Sequence, residues 1–163
     1  MFKVLFLPLI ASLVMPTNPA LAEALPQDVQ ELNDCLGDAA PERAFEACTF
    51  TISETCQAQD SGQTTVGMIE CNLRENEAWD TLLNQIYKDV RAQAASSDKA
   101  DGGDRAGTLL RAQRAWIVFR DADCSFAYAQ WGNGSMRQIA GSACHVARTA
   151  QRVIELRGFR MKY

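Results

Sequence analysis

Six cysteines, one histidine and a scatter of carboxylates are the residues of this 163-residue chain whose types suit chemistry. Cys35, Cys48, Cys56, Cys71, Cys124 and Cys144 could hold a metal, run a redox couple or close disulfides. Zinc needs thiolates and imidazoles at short, clustered spacings. The intervals here fit no such pattern, and His145 is the lone imidazole. A dithiol redox centre needs Cys-x-x-Cys, which the chain lacks. The reading is disulfides, with no metal.

Catalytic constellations fare no better. A nucleophilic triad needs a positioned imidazole. His145 directly follows Cys144 in a helical pattern and reads as a partly buried structural residue. Glu70, Glu75, Glu77 and Asp80 could offer a carboxylate pair for glycoside cleavage. They crowd one charged helix, so the expectation is a solvated face. Asp98, Asp101 and Asp104 lack the alternate acids, single glycine and closing glutamate of a calcium loop. No catalytic residue and no cofactor is expected.

Two other groups of residues stand out. Asp80, Asn84, Tyr87, Gln113, Arg120, Thr149 and Arg152 fall on or beside the apolar stripes of three helices. Polar groups buried there must satisfy one another, and they then fix helix register. They are expected to form a structural network. The turn Trp131-Gly132-Asn133-Gly134 places an aromatic among glycines. Pinned by a disulfide, it is a preorganised projecting element and the candidate binding residue set.

The elements that must position these residues are helical throughout. Pro26-Gln27-Asp28 opens a short helix that reaches Leu36, with Gly37 as its stop. A second runs from Pro41 to Ala58. Thr64 or Thr65 caps a long third helix that ends near Ala95. Along it Ile69, Leu73, Trp79, Leu83, Ile86, Tyr87 and Val90 recur at threes and fours, which marks one core-facing stripe. Ser96 to Gly107 reads as a flexible connector. The fourth helix carries Leu109, Ala112, Trp116, Phe119, Asp123, Phe126 and Ala127 on its inner side. After the Trp131 turn, Ser135 caps a fifth helix with Ile139, Ala143, Val146, Ala150, Val153 and Leu156 inward. The expected fold is an all-α, disulfide-stapled bundle of three long helices with two short N-terminal helices.

Helix geometry prunes the cysteine pairings. Cys48 and Cys56 lie eight residues apart in one expected helix. That is a rise of about 12 Å, too far for a bridge limited to Cα separations near ~7 Å. Each pairs elsewhere, and the nearest solutions are Cys35 with Cys48 and Cys56 with Cys71. Cys124 and Cys144 flank the Trp131 turn and would clasp its two helices together.

Residues 1–22 read as a signal peptide: Lys3, an apolar run from Val4 to Val14, then Ala20-Leu21-Ala22 before Glu23. The run is too short to span a membrane. No cysteine follows the cut, so a lipid anchor is not expected. The expected location is the periplasm, as a soluble protein whose cysteines oxidise. Without Lys3 the balance is 15 basic against 20 acidic residues. That argues against nucleic acid, which demands a basic face.

The segments Thr64–Cys71, Glu77-Ala78-Trp79-Asp80, Leu83-Asn84-Gln85-Ile86-Tyr87, Ala112-Gln113-Arg114-Ala115-Trp116 and Phe119-Arg120-Asp121-Ala122-Asp123-Cys124, followed by Cys144, Thr149, Arg152 and Leu156, form a set. The set resembles the lysozyme inhibitor LprI family over about residues 56 to 157. It divides the chain into the signal peptide, an N-terminal helical extension over residues 23–58, and an LprI-like domain over 59–163. The resemblance implies a small secreted helical protein that is not an enzyme. It implies a protein partner, a cationic c-type lysozyme for those relatives that block one. The competing reading is a periplasmic structural or stress-related interaction protein without lysozyme activity. A contiguous exposed apolar patch on the third or fourth helix would favour it.

Overall fold

In the structure, a computed structural model that describes residues 25–160, five α-helices pack around a sixth, a 37-residue rod. The helices are α1 (Pro26–Asp38), α2 (Ala44–Cys48), α3 (Thr51–Gln57), α4 (Thr65–Asp101), α5 (Arg105–Ala129) and α6 (Met136–Arg160). A 3₁₀ turn, Asp60–Gln63, leads into α4. No strand occurs among the described residues. The expected signal peptide, residues 1–22, lies outside them.

Rod α4 starts sharply because Thr64 Oγ1 accepts the Gly67 N–H at 2.9 Å. Gly67 has a second role. A Cβ there would collide with the Ser61 carbonyl and the Gly62 Cα, so only glycine lets the 3₁₀ turn lie on the helix. Gly102 ends the rod in the left-handed conformation (φ 77°), its N–H donating to Asp98 O at 2.8 Å. Helices α4, α5 and α6 run up, down and up.

The core comes chiefly from α4 and α6. Ala78, Trp79, Leu82, Leu83, Ile86 and Val90 meet Val146, Ala150, Val153 and Leu156. Leu32, Leu36, Ala44, Cys48 and Ile52 of the front helices close it. Three disulfides staple the assembly: Cys35–Cys48, Cys56–Cys71 and Cys124–Cys144, with Cα separations of 5.8, 5.6 and 5.3 Å. These are the pairings that spacing predicts.

Several elements differ from expectation. The second helix is broken at Thr49–Phe50, so three short helices lie at the front rather than two. Phe50 takes the left-handed conformation (φ 72°). The break turns the start of α3 toward Glu75, whose side chain receives the Phe50 N–H. The rod continues past Ala95 to Asp101, and the connector shrinks to residues 102–104. Ser96 and Ser97 do not stop a helix whose next residues pair with its neighbour. Asp98 accepts the N–H groups of Arg105 and Ala106 at 2.8 and 2.9 Å, which caps α5 from the end of α4. The Ala106 N–H contributes most to holding the Asp98 carboxyl below the ordinary range. Leu73, placed on the inner stripe, is exposed. So are Ala112, Phe119 and Phe126 of α5. The buried residues of α5 are Gln113 and Cys124, and Trp116 and Leu109 are partly buried against the core.

Candidate functional site

Three places hold the residues singled out by sequence. At the first, Trp116 of α5 lies between two guanidinium groups. Arg120 stands 5.1 Å and Arg152 5.9 Å from its ring centroid. Arg152 Nε donates to Gln113 Oε1 at 3.0 Å, and its Nη1 meets Glu155 at 3.1 Å. Arg120 pairs with Asp121 at 2.9 Å and reaches Asp80 at 4.0 Å. Asp80 accepts from Asn84 at 3.0 Å. The structure therefore gathers Asp80, Asn84, Gln113, Arg120 and Arg152 around Trp116, at the border of core and solvent rather than within the core. Asn84 is exposed and Asp80 half-buried. Thr149 lies apart, fully buried, and bonds Asn76 at 3.2 Å. The Tyr87 hydroxyl is buried with no hydrogen-bond partner among the described residues.

The second place was misread from the sequence, which named Glu75 but not the Asp28–Arg74 pair beside it. Glu75 is not on a solvated face; it is completely buried. Its side-chain oxygens accept the Phe50 N–H at 2.6 Å, the Ser53 N–H at 2.8 Å and the Trp79 indole N–H at 2.9 Å. Beside it, Arg74 makes a two-pronged bond to buried Asp28 at 2.6 and 2.7 Å. These contacts dock α1 and α3 on the rod. Each oxygen of the two carboxylates accepts at least one hydrogen bond from the fold. The available signal was Trp79 four residues after Glu75, the spacing of one helix face.

The third place is the α5–α6 turn. Cys124–Cys144 holds the two helices just below it. Gly132 adopts φ 54°, and Gly134 N–H donates to Trp131 O at 2.9 Å. The turn is thus hydrogen-bonded onto itself, with Trp131 half-exposed (50%) at its tip. His145 sits on α6 beside the open groove lined by Ile69, Leu73, Tyr128 and Gly141. Burial, and then the nearby Arg120 charge, push its pKa down against a smaller opposing effect of Asp121. It is a neutral, structural imidazole near pH 7.

The cavities are small or open. One, of about 240 Å³, lies between α4, α5 and α6 at Val90, Ala94, Leu109 and Phe159. Small-molecule sites usually occupy roughly 300–1,000 Å³ and converge polar groups on the ligand. The Asp123, Cys124 and Cys144 ligand atoms approach one another. Both of those sulfurs are consumed in a disulfide, which removes them as metal ligands.

Comparison with known proteins agrees with this geometry. Residues 56–156 match the family described as lysozyme inhibitor LprI. That span contains the rod, α5, most of α6 and two of the three disulfides. An uncharacterized protein of Rhizobium meliloti (strain 1021) is 30% identical over 128 residues, covering 73% of this chain and 92% of its own length. No solved structure matches the chain. The chain belongs to the lysozyme inhibitor LprI family.

Proposed function

We propose that this is an exported, non-enzymatic binding protein that occludes a cationic c-type lysozyme. The observation that carries the reading is the family match over residues 56–156, which takes in the rod, α5, most of α6 and two of the three disulfides. The chemistry is consistent with it. The polar clusters are consumed in holding helices together, and occlusion requires rigidity rather than a reactive group. The acidic excess of the exported chain would steer a cationic enzyme toward it, with association weakening as salt rises. The tethered Trp131 turn offers a projecting aromatic of the kind that anchors interfaces. Residues 1–22 would direct export and be removed, leaving residues 23–58 as a front extension and 59–163 as the family domain in the periplasm. No helix among the described residues is long and apolar enough to cross a membrane.

The test is a lysozyme turbidity assay with oxidised protein lacking residues 1–22. Inhibition at micromolar protein is expected, reduced by Trp131→Ala. Full lysozyme activity at that concentration would sink the reading for the enzyme tested. A second reading, an envelope assembly protein without lysozyme activity, draws support from the exposed apolar face of α5. Periplasmic pull-down partners that exclude lysozyme would favour it.

A further inference from the structure

The solvent face of α5 carries the signature of a helix that pairs with another helix. Ala112, Ala115, Phe119, Ala122, Phe126 and Ala129 follow one another at spacings of three and four residues. That is the seven-residue period of a coiled-coil seam. All six are exposed, although an apolar stripe on a bundle helix should face the core. Phe119 is 53% and Phe126 62% exposed, and Val118 beside them is 70% exposed. The inward side of the same helix holds Gln113 and Cys124. Helix α5 therefore has two working faces; on the outer one the Arg148 guanidinium of α6 stands 5.6 Å from the Phe119 ring centroid, and no apolar element of the described residues covers the stripe.

We propose that this face pairs with the α5 of a second copy, antiparallel, across a two-fold axis. Size complementarity selects the orientation. One edge of the seam reads Ala112, Phe119, Phe126, and the other reads Ala115, Ala122, Ala129. An antiparallel pair sets each position of one edge against the other edge of the second copy. Phe119 then meets Ala122, Phe126 meets Ala115, and Ala112 meets Ala129. Each large ring enters the space left by a methyl group. A parallel pair would stack Phe on Phe and Ala on Ala, alternately overfull and empty.

Charge agrees with the same register. No charged residue lies on the seam. Arg111, at one end of its border, comes opposite position 130 of the other copy, where α5 ends. The carbonyls of a helix's last turn carry partial negative charge. Area sets the strength. From Ala112 to Ala129 the seam is about 27 Å long at ~1.5 Å per residue, and a helix is about 10 Å wide. The pair would remove on the order of 1,000 Å² of accessible surface, near the lower bound for specific association. That size suits a reversible pair rather than an obligate dimer.

Sedimentation equilibrium of the oxidised protein lacking residues 1–22, from about 1 to 100 μM, tests this. The expected mass moves from one copy to two across that range. Phe119→Glu should weaken association by about 100-fold or more, because it sets charges facing alanines at the seam centre. Its far-UV spectrum and melting temperature should stay near the parent's, since Phe119 is half open to solvent. Register is tested by exchange. Phe119→Ala and Ala122→Phe should each weaken association roughly 10-fold, and the double variant should restore it, because 119 and 122 face each other across the axis. A single-copy mass at all concentrations would overturn the proposal. So would a dimer indifferent to Phe119→Glu, or a double variant no better than its parents. So would a strictly monomeric protein in which Phe119→Glu abolishes lysozyme binding, which would assign the face to that partner.

Discussion

Replacing Glu75 by alanine should nearly unfold the front of this protein. The side chain is fully buried and accepts three N–H groups, from Phe50, Ser53 and the Trp79 ring. Alanine leaves all three donors facing a dry interior. Each stranded buried donor costs about 1–3 kcal/mol. The sum, with relaxation at one of the three, is about 2–6 kcal/mol. A domain of this size holds roughly 5–15 kcal/mol in total. Glu75→Gln keeps the shape but turns an N–H₂ toward one of those donors, so about 1–3 kcal/mol is expected. The assay is urea unfolding followed by circular dichroism, with the disulfides intact. The alanine variant should lose most of its midpoint, and Gln should fall between the two. A loss under about 1 kcal/mol for Glu75→Ala would refute the reasoning, because it would mean that water or a shifted backbone already satisfies those groups.

Three further outcomes follow from the same structure. His145 is the lone histidine, and its folded pKa is depressed, chiefly by burial. The unfolded chain therefore takes up a proton first, and stability complete above about pH 6.5 is lost as pH falls through the folded value. His145→Gln should flatten the pH dependence of the unfolding midpoint below about pH 6.5, and an unchanged slope would contradict the assignment. Arg120→Ala should cost only about 1–2 kcal/mol, measured by thermal melt, because the guanidinium stacks on Trp116 at the solvent border and loses no core partner. Replacing both Cys124 and Cys144 by serine opens a link spanning 20 residues and should cost about 3 kcal/mol in the same melt.

What the sequence revealed, and what it hid, follows the range of each interaction. The disulfide pairings were legible because each joins neighbouring segments across one turn, although Cys48 and Cys56 turn out not to share a continuous helix, which breaks at Phe50. The long helices were legible from apolar period. The length of α4 was misjudged because Ser96 and Ser97 look like breakers, whereas Asp98 keeps the helix going by capping α5. The break at Phe50 carries no glycine or proline to announce it. Its cause is Glu75, 25 residues further along the chain. Glu75 itself looked solvated among Glu70, Glu77 and Asp80, since its partners are remote in sequence. On α5 the apolar residues were assigned inward by rule. Two apolar stripes share that helix, and periodicity alone does not say which one faces the core.

The claim at the centre of this account is that an oxidised, rigid bundle binds lysozyme without chemistry. Titration calorimetry of the purified oxidised protein into a cationic c-type lysozyme measures that directly. A saturable heat with whole-number stoichiometry, weakening as salt rises and lost after reduction and alkylation of the disulfides, is the predicted result. No heat from the intact protein at low salt, or the same heat from the reduced and alkylated chain, would contradict it.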